Sequence, residues 1–538
     1  MTASTTEPRT TGEQPGGAFA PLRHRLFAVI WVATVLGNTG TFMRDVASTW
    51  LVTELSASPA SVALIQAAGT LPIFLLAIPA GVLSDILDRR RYLIVVQIGL
   101  GLVSALLALL AWTGEVAVVN LVTLTFLGGI GTALAMPAWQ SIVPELVPRA
   151  DLKGAVALNS LGLNIARAIG PALGGAALAA LGATATYGMD VVSYAAVIAA
   201  LLYWRREAGT DDGLREHFGG ALRAGLRYAR ATGELHRILW RAAVFFAFAS
   251  AVWALLPIVA RQELGGGPGF YGLLLGSVGV GAIVGAVLLP HLRARLGQDV
   301  LVLAGSLGTA AVAALLALTD AAVIGLAATF VLGFAWIAIL TTLNATMQGI
   351  LPNWVRGRGL AIYLMVFNGA MAAGSITWGI LAQGIGTDAT LLAAGVGLTA
   401  AALIAHRARL PAGEGDLTPS MHWPEPALAE AVAHDRGPVI VTVTYRVKTD
   451  DRDAFLATLG QLSEERRRDG AYAWGVSEDA ADPERLVEWF FVESWAEHLR
   501  QHQRVSKADA DVQTAARAFH AGTEAPKVEH LLGLKPSG

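Results

Sequence analysis

The chain has 538 residues, of which 54% are hydrophobic and only 15% charged, with a net charge of −2. Soluble domains carry about 25% charged residues, so these charges are too few to solvate a soluble protein of this length, and a wholly soluble enzyme is excluded. Cysteine is absent, which removes disulfides, thiolate metal sites and cysteine nucleophiles.

Residues 1–21 are polar and rich in Thr, Gly and Pro, and are expected to be disordered. The first hydrophobic run starts at Leu26, after Arg23-His24-Arg25, and is too long for a cleaved signal segment. Runs long enough to cross a bilayer, about 20 apolar residues, fall at 26–46 (continuing toward 51), 62–83, 93–112, 116–136, 155–181 and 185–204. A second set follows at 238–259, 271–289, 300–318, 321–343, 360–385 and 389–405. Alternate loops carry the basic residues: Arg89 to Arg91, Arg149 with Lys153, a cluster from Arg205 to Arg241, Arg293 with Arg295, Arg356 with Arg358, and Arg407 with Arg409. The loops between them hold Glu54, Glu115, Glu263, Asp320 and Asp388, with Arg261 the only base. Basic loops stay in the cytoplasm, so the number of spans is even, twelve fits, and both termini are expected inside.

Two six-helix bundles are therefore expected at 22–205 and 237–409, joined by a connector at 206–236. Residues 214–230 of the connector alternate apolar and basic faces, as an amphipathic helix lying on anionic headgroups would. The halves look duplicated. Ile142-Val143-Pro144-Glu145-Leu146-Val147-Pro148-Arg149 matches Ile350-Leu351-Pro352-Asn353-Trp354-Val355-Arg356 at an offset of 208, and one residue further Asn159 falls on Asn368 and Gly170 on Gly379.

A proline-rich linker at 410–437 leads to a soluble domain at 438–538, where thirteen basic and seventeen acidic residues from Gly437 onward restore an ordinary balance. Alternation at 438–448 predicts a strand, 450–468 a helix, 471–477 and 485–493 strands, 495–520 a helix and 528–532 a last strand. The β-α-β-β-α-β order predicts a ferredoxin-like α+β fold.

No Gly-Lys dipeptide occurs, so a Walker A phosphate loop is impossible. No metal site, cofactor or nucleic-acid partner is expected. His498 and His502 lie one turn apart, on what reads as a solvated helix face.

The stretch Gly81-Val82-Leu83-Ser84-Asp85-Ile86-Leu87-Asp88-Arg89-Arg90-Arg91 places acids and guanidiniums at a helix end, with Gly81 read as a close helix contact. It resembles the loop after the second helix of the major facilitator superfamily, with Ile86 where an Arg and Asp88 where a Gly is usual. Gly170-Pro171-Ala172-Leu173-Gly174-Gly175 resembles that superfamily's antiporter motif, which the resemblance puts at the interface between the halves, with Ala166 replacing one usual Gly. Asp469-Gly470-Ala471-Tyr472-Ala473-Trp474 and Glu493-Ser494-Trp495-Ala496-Glu497-His498-Leu499-Arg500 resemble the tail of its transmembrane secretion effector branch, which is similar to the enterobactin exporter and macrolide efflux proteins. The resemblance implies a twelve-helix carrier of the bacterial cytoplasmic membrane, exporting small organic molecules by proton antiport with alternating access. The tail also looks like cofactor-free antibiotic monooxygenases, whose chemistry uses an Asn with Trp residues. This tail offers Trp474, Trp489 and Trp495 but no Asn, so dimerisation or regulation is the expected role.

Charges inside spans cost about 2.5–3.5 kcal/mol on insertion scales and mark function. Asp45, Arg167 and Asp190 are the proton-coupling candidates. Arg44 and Asp45, about 100° apart on a helix, are expected to have different partners, Arg167 is expected to act on Asp45, and Asp190, near a span end, reads as interfacial. Asn38, Gln140, Asn159, Asn164, Trp253, Trp336, Asn344, Gln348 and Asn368 are candidates to line a cavity for flat, partly apolar cargo. Uptake, an uncoupled facilitator, or a membrane-tethered metabolite-modifying enzyme are the alternatives.

Overall fold

The computed structural model describes residues 19–56, 58–205, 218–352, 354–411, 432–433 and 435–534. Among these, eleven helices are long and apolar enough to cross a membrane. The first four are α1 (Arg25–Leu55), α2 (Pro59–Ile86), α3 (Arg89–Thr113) and α4 (Val118–Leu146), and α5 is Leu152–Tyr203. After α6 (Phe218–Ala231) come α7 (Gly233–Ile258), α8 (Pro268–Arg295), α9 (Gln298–Leu318), α10 (Ala322–Ile350), α11 (Arg356–Ile385) and α12 (Thr387–His406). Their few hydroxyls satisfy themselves locally: Thr34, Thr41 and Thr309 each donate to the carbonyl four residues back, as apolar surroundings require. Helix α4 runs ten residues beyond the expected span and carries Pro137 and Pro144 within it.

Helix α5 holds two spans. A straight helix of 52 residues would measure about 78 Å, over twice the hydrocarbon thickness of about 30 Å. Gly182 breaks it with φ 79° and ψ 176°, a backbone that only glycine adopts readily. Contacts with α1 show the reversal. The arm before Gly182 runs parallel to α1: His24 meets Asp151, Trp31 donates to the Leu158 carbonyl, and Phe42 packs on Gly170. The arm after it runs antiparallel: Arg44 meets Asp190, Thr41 meets Tyr194, and Gly37 packs on Val197. Eleven helices thus make twelve passes.

The second half repeats this plan. Helix α7 lies between α11, where Trp378 donates to the Ala247 carbonyl at 2.7 Å, and α12, where Gly397 packs on Phe248. Between the halves, Gly175 of the first α5 arm lies against Gly272 of α8, and its repeat counterpart α11 places Gly379 against Ala63 of α2. The glycine contacts of these seams reach mid-helix at Ala168 with Gly279 and at Phe74 with Gly369. Arg261 joins α7 to the end of α1 by donating to the Thr53 carbonyl.

The chain forms two compact units, one within residues 1–210, 242–341 and 364–407, the other within 211–241, 342–363 and 408–538. The second contains the tail: β1 (Val439–Arg446), α13 (Arg452–Asp469), β2 (Ala473–Asp479), β3 (Asp482–Val492), α14 (Trp495–Arg504), α15 (Lys507–Ala518) and β4 (Lys527–Leu532). The sheet order β2-β3-β1-β4 with antiparallel neighbours is ferredoxin-like, as the sequence predicts. Val439, Val441, Val443 and Tyr445 alternate inward, the last two onto Phe455, Leu459 and Leu462 of α13. The helix expected at 495–520 is two helices. Ser494 starts the first as its N-cap, accepting from the Glu497 backbone N–H at 3.3 Å.

Within this unit α6 grips the tail. Arg227 pairs with Glu493 at 3.5 Å and Glu497 at 3.7 Å, and Tyr228 stacks edge-on against Trp354. Arg504 lies 4.2 Å over the same Trp354 ring. The basic face assigned to lipid headgroups is thus partly engaged by tail carboxylates. The part of the amphipathic reading at 214–217 and most of the linker at 410–437 lie outside the described residues.

Candidate functional site: a buried charge ladder

On α1, Thr41, Arg44 and Ser48 share one face, and on the second arm of α5, Tyr194, Asp190 and Tyr187 share another. The faces meet rung by rung: Thr41 with the Tyr194 hydroxyl at 3.0 Å, Arg44 with Asp190 at 3.7 Å, and Ser48 with the Tyr187 hydroxyl at 3.1 Å. Gly40 makes the approach possible, because a Cβ there would lie 2.3 Å from Ser193 Oγ and 2.6 Å from Asp190 Oδ1. Ser104 of α3 donates to Asp190 Oδ2 at 2.6 Å, and Ser193 to Oδ1 at 3.2 Å. Arg44 also donates to the Tyr194 hydroxyl at 3.3 Å and packs against Gly128 of α4. Four transmembrane helices thereby enclose one ion pair.

Asp190 is 0% exposed and Arg44 5%, whereas the Asp45 side chain is 49% exposed. Asp45 accepts from Arg44 Nη2 at 3.0 Å and Nε at 3.3 Å. Three expectations are corrected. Asp190 is not interfacial: the turn at Gly182 places it two turns inside the second arm, facing α1. Arg44 and Asp45 do not seek separate partners, since the long guanidinium folds back to its neighbour while still reaching Asp190. Arg167 is not among the partners of Asp45. It is exposed on the first α5 arm and has no hydrogen bond or ion pair among the described residues. Ser104, Tyr187, Ser193 and Tyr194 went unnoticed in the sequence, although the 187/190/194 spacing on one helical face was visible there.

Around the loop after α2, Asp88 caps α3 by accepting from the Arg91 backbone N–H at 2.8 Å. Arg89 pairs with Glu145 of α4 at 2.7 Å, and Arg90 donates to the carbonyls of Leu201 and Leu202 at 2.8 and 2.9 Å. The side chain of Asp85 lies outside the described residues. Among the described residues Gly81 makes no close helix contact, since a Cβ there would meet none of them within 4 Å. In the antiporter-like motif, Gly170 packs on Phe42, Gly174 on Met43 and Gly175 on Gly272, while the Pro171 carbonyl faces Gly272.

The cavity candidates divide. Gln140, Asn164 and Gln348 are exposed, and Asn38, Asn159 and Asn344 half-buried, with Gln348 donating to Asn344. Asn159 borders a small cleft with Phe27, Trp31 and Trp139. Asn368 is buried and donates to its own helix at the Leu364 carbonyl, 2.8 Å away, so it does not face a cavity. Trp253 and Trp336 meet edge to face at 5.1 Å inside an aromatic cluster with Phe245, Phe246 and Phe367. The Trp253 indole N–H is buried without an acceptor among the described residues.

In the tail, Glu488 is fully buried, bonded by Arg466 and Trp474 at 3.0 Å each and by Tyr445 at 3.4 Å. The Trp489 N–H goes to Ser477 at 2.9 Å. Burial alone would raise Glu497, but the guanidiniums of Arg504, Arg500 and Arg227 outweigh it and hold the carboxyl below its usual range. His498 is not on a solvated face: it is 1% exposed, beneath Trp495 and beside His502 and His530. Burial, then the charge of His530 and His502, pushes His498 down to about 3.

Residues 16–537 match the family described as transmembrane secretion effector. The chain is 26% identical over 380 residues to the multidrug efflux pump Tap of Mycolicibacterium fortuitum, covering 68% of this chain and 91% of the pump. It is 24% identical over 262 residues to the staphyloferrin A transporter of Staphylococcus aureus, covering 48% and 65% of the two chains. Against macrolide efflux protein A of Streptococcus pyogenes the identity is 22% over 265 residues, covering 49% and 65%. Among solved structures, the nucleoside transporter NupG aligns with a TM-score of 0.60 at 11% identity, covering 71% of this chain and 99% of that one. A bacterial homologue of the human lysosomal transporter Spinster aligns at 0.56 and 15%, covering 72% and 97%. The helical part therefore has the twelve-helix major-facilitator fold, and the chain belongs to the transmembrane secretion effector family.

Proposed function

We propose that the chain exports small organic molecules of drug, siderophore or secondary-metabolite type by proton antiport, through alternating access of its two halves. The observation that carries the coupling is half-exposed Asp45 sharing Arg44 with fully buried Asp190. Protonation of Asp45 removes its hold on Arg44, which then leans on Asp190 alone and shifts α1 against the second arm of α5. Deprotonation restores the bridge. The same α1 packs on the first α5 arm, which forms the seam with α8, so a shift at Arg44 reaches the contact between the halves.

The halves differ chemically. Where the first carries the ladder on α1, the second carries the aromatic cluster around Trp253 on α7. Aromatic faces and one unused indole N–H suit a flat, apolar cargo with a hydrogen-bond acceptor, and exposed Asn164, Arg167 and Gln140 supply polar contacts. The names of the relatives, two efflux proteins and a siderophore transporter, agree with this cargo class. The basic loops support a cytoplasmic side for the termini and tail in a bacterial cell.

For the tail we propose a docking role. The Trp474 and Trp489 N–H groups are engaged by Glu488 and Ser477, leaving no Asn–Trp constellation for oxidation. Exposed Tyr472, Val528 and Leu531 beside the sheet edges support a tail-mediated homodimer, and sedimentation of the full chain at the mass of a single copy overturns that assignment.

The transport reading is tested in everted vesicles with an acid interior. A fluorescent aromatic dye should accumulate inside with the natural chain and not with Asp45→Asn. Equal accumulation by the variant removes the coupling role, and entry that stops at equal concentrations whatever the pH gradient favours an uncoupled facilitator.

A further inference from the structure

We infer that His498, His502 and His530 form a binding site for a divalent transition metal of the zinc class, in the soluble tail and independent of the transport site. His498 and His502 stand four residues apart on α14 and so project from one face, while His530 comes from edge strand β4. One ring nitrogen from each of the three lies within 4.8 Å of the other two.

The orientation of the central ring is that of a ligand. His498 Nδ1 faces the Gln501 carbonyl oxygen at 3.4 Å. In the tautomer with its proton on Nδ1, His498 donates to that side-chain oxygen and keeps a lone pair on Nε2, the arrangement of a metal-bound histidine with an outer partner. This Nε2 points at His502 Nε2, 3.3 Å away. Two nitrogens on a tetrahedral ion with bonds of about 2.0–2.1 Å sit about 3.3–3.4 Å apart, so this edge already has the spacing of a loaded site. His530 completes the set with a ring centroid 4.6 Å from that of His498. It is half-buried, as is His502, which leaves room for the small rotation that draws in the third nitrogen and a route for the ion.

The alternative for the short pair is a plain imidazole–imidazole hydrogen bond, but it gives no role to the third ring. With no cysteine in the chain, the donor set is imidazole alone, which suits Zn²⁺, Co²⁺, Ni²⁺ and Cu²⁺ and disfavours Mg²⁺ and Ca²⁺. Three protein ligands leave a fourth position for water. An occupied site would staple β4 to α14, the helix whose Glu497 holds Arg227 of α6.

The test uses the full chain, purified in detergent on a tag without histidine and stripped with chelator. Titration with Co²⁺ should give visible d–d bands that saturate at one ion per chain and vanish when Zn²⁺ is added. His502→Gln and His530→Gln, at half-buried positions, should each weaken binding tenfold or more, while His291→Gln at an exposed helix end leaves it unchanged. Because His498→Gln risks misfolding, its part is read in the natural chain, from paramagnetically shifted imidazole N–H signals of the cobalt form. No saturable band, or a band that persists in both variants, overturns the site.

Discussion

At the residue scale, the ladder makes unequal demands on its members. Removing one partner of a buried ion pair leaves an uncompensated charge and costs about 3–5 kcal/mol. Asp190 is fully buried and its carboxylate faces one guanidinium and two hydroxyls. Arg44→Ala should therefore lower the detergent melting temperature sharply, whereas Asp45→Asn, at a half-exposed position, should leave it nearly unchanged and affect only the pH dependence of transport. Equal melting losses in both variants would contradict this division. Glu497 offers a second case. Its carboxyl serves Arg504 and Arg227 and is held below its usual value. Its contribution is fully present above the unfolded carboxylate value and is lost as pH falls through the lower folded one. Glu497→Gln should loosen α6 from the tail, read as faster hydrogen exchange across residues 218–231, and an unchanged exchange rate counts against the docking contact.

At the element scale, glycines decide which helices pack. Gly182 turns one continuous hydrogen-bonded segment into two antiparallel passes, with a backbone that costs a side chain of about 1–3 kcal/mol. Gly182→Ala should lower thermal stability by that order without altering the ladder's chemistry, as judged by melting and by transport at low temperature. The sequence reads 155–204 as two spans from length and from the alternation of charged loops. That the second span returns along the opposite side of α1 followed from contacts no periodicity reveals. Glycine content likewise does not say which glycine is pressed: Gly40 admits Asp190 and Ser193, whereas Gly81, inside the family-like loop, has open space among the described residues.

At the scale of the whole molecule, the absence of cysteine permits a background-free test of the moving seam. Ala179→Cys with Gly269→Cys sets two Cβ atoms 3.7 Å apart across the seam between α5 and α8, the spacing a disulfide needs. Oxidation should cross-link them and stop transport, and reductant should restore it. Transport that continues when cross-linked would mean this seam does not open during the cycle.

The number of passes, the alternation of charged loops, the inward residues of β1 and the tail's strand order were all legible in the sequence, because each follows from local periodicity, length or charge along the chain. The residues that act together were not. Arg44 and Asp190 are 146 positions apart, and His530 lies 28 positions beyond His502. Whether a polar side chain is a solvated surface group or a buried member of a cluster depends on what other segments are brought against it. Only the packing of α1 between the two arms of α5, and of β4 beside α14, supplied those neighbours.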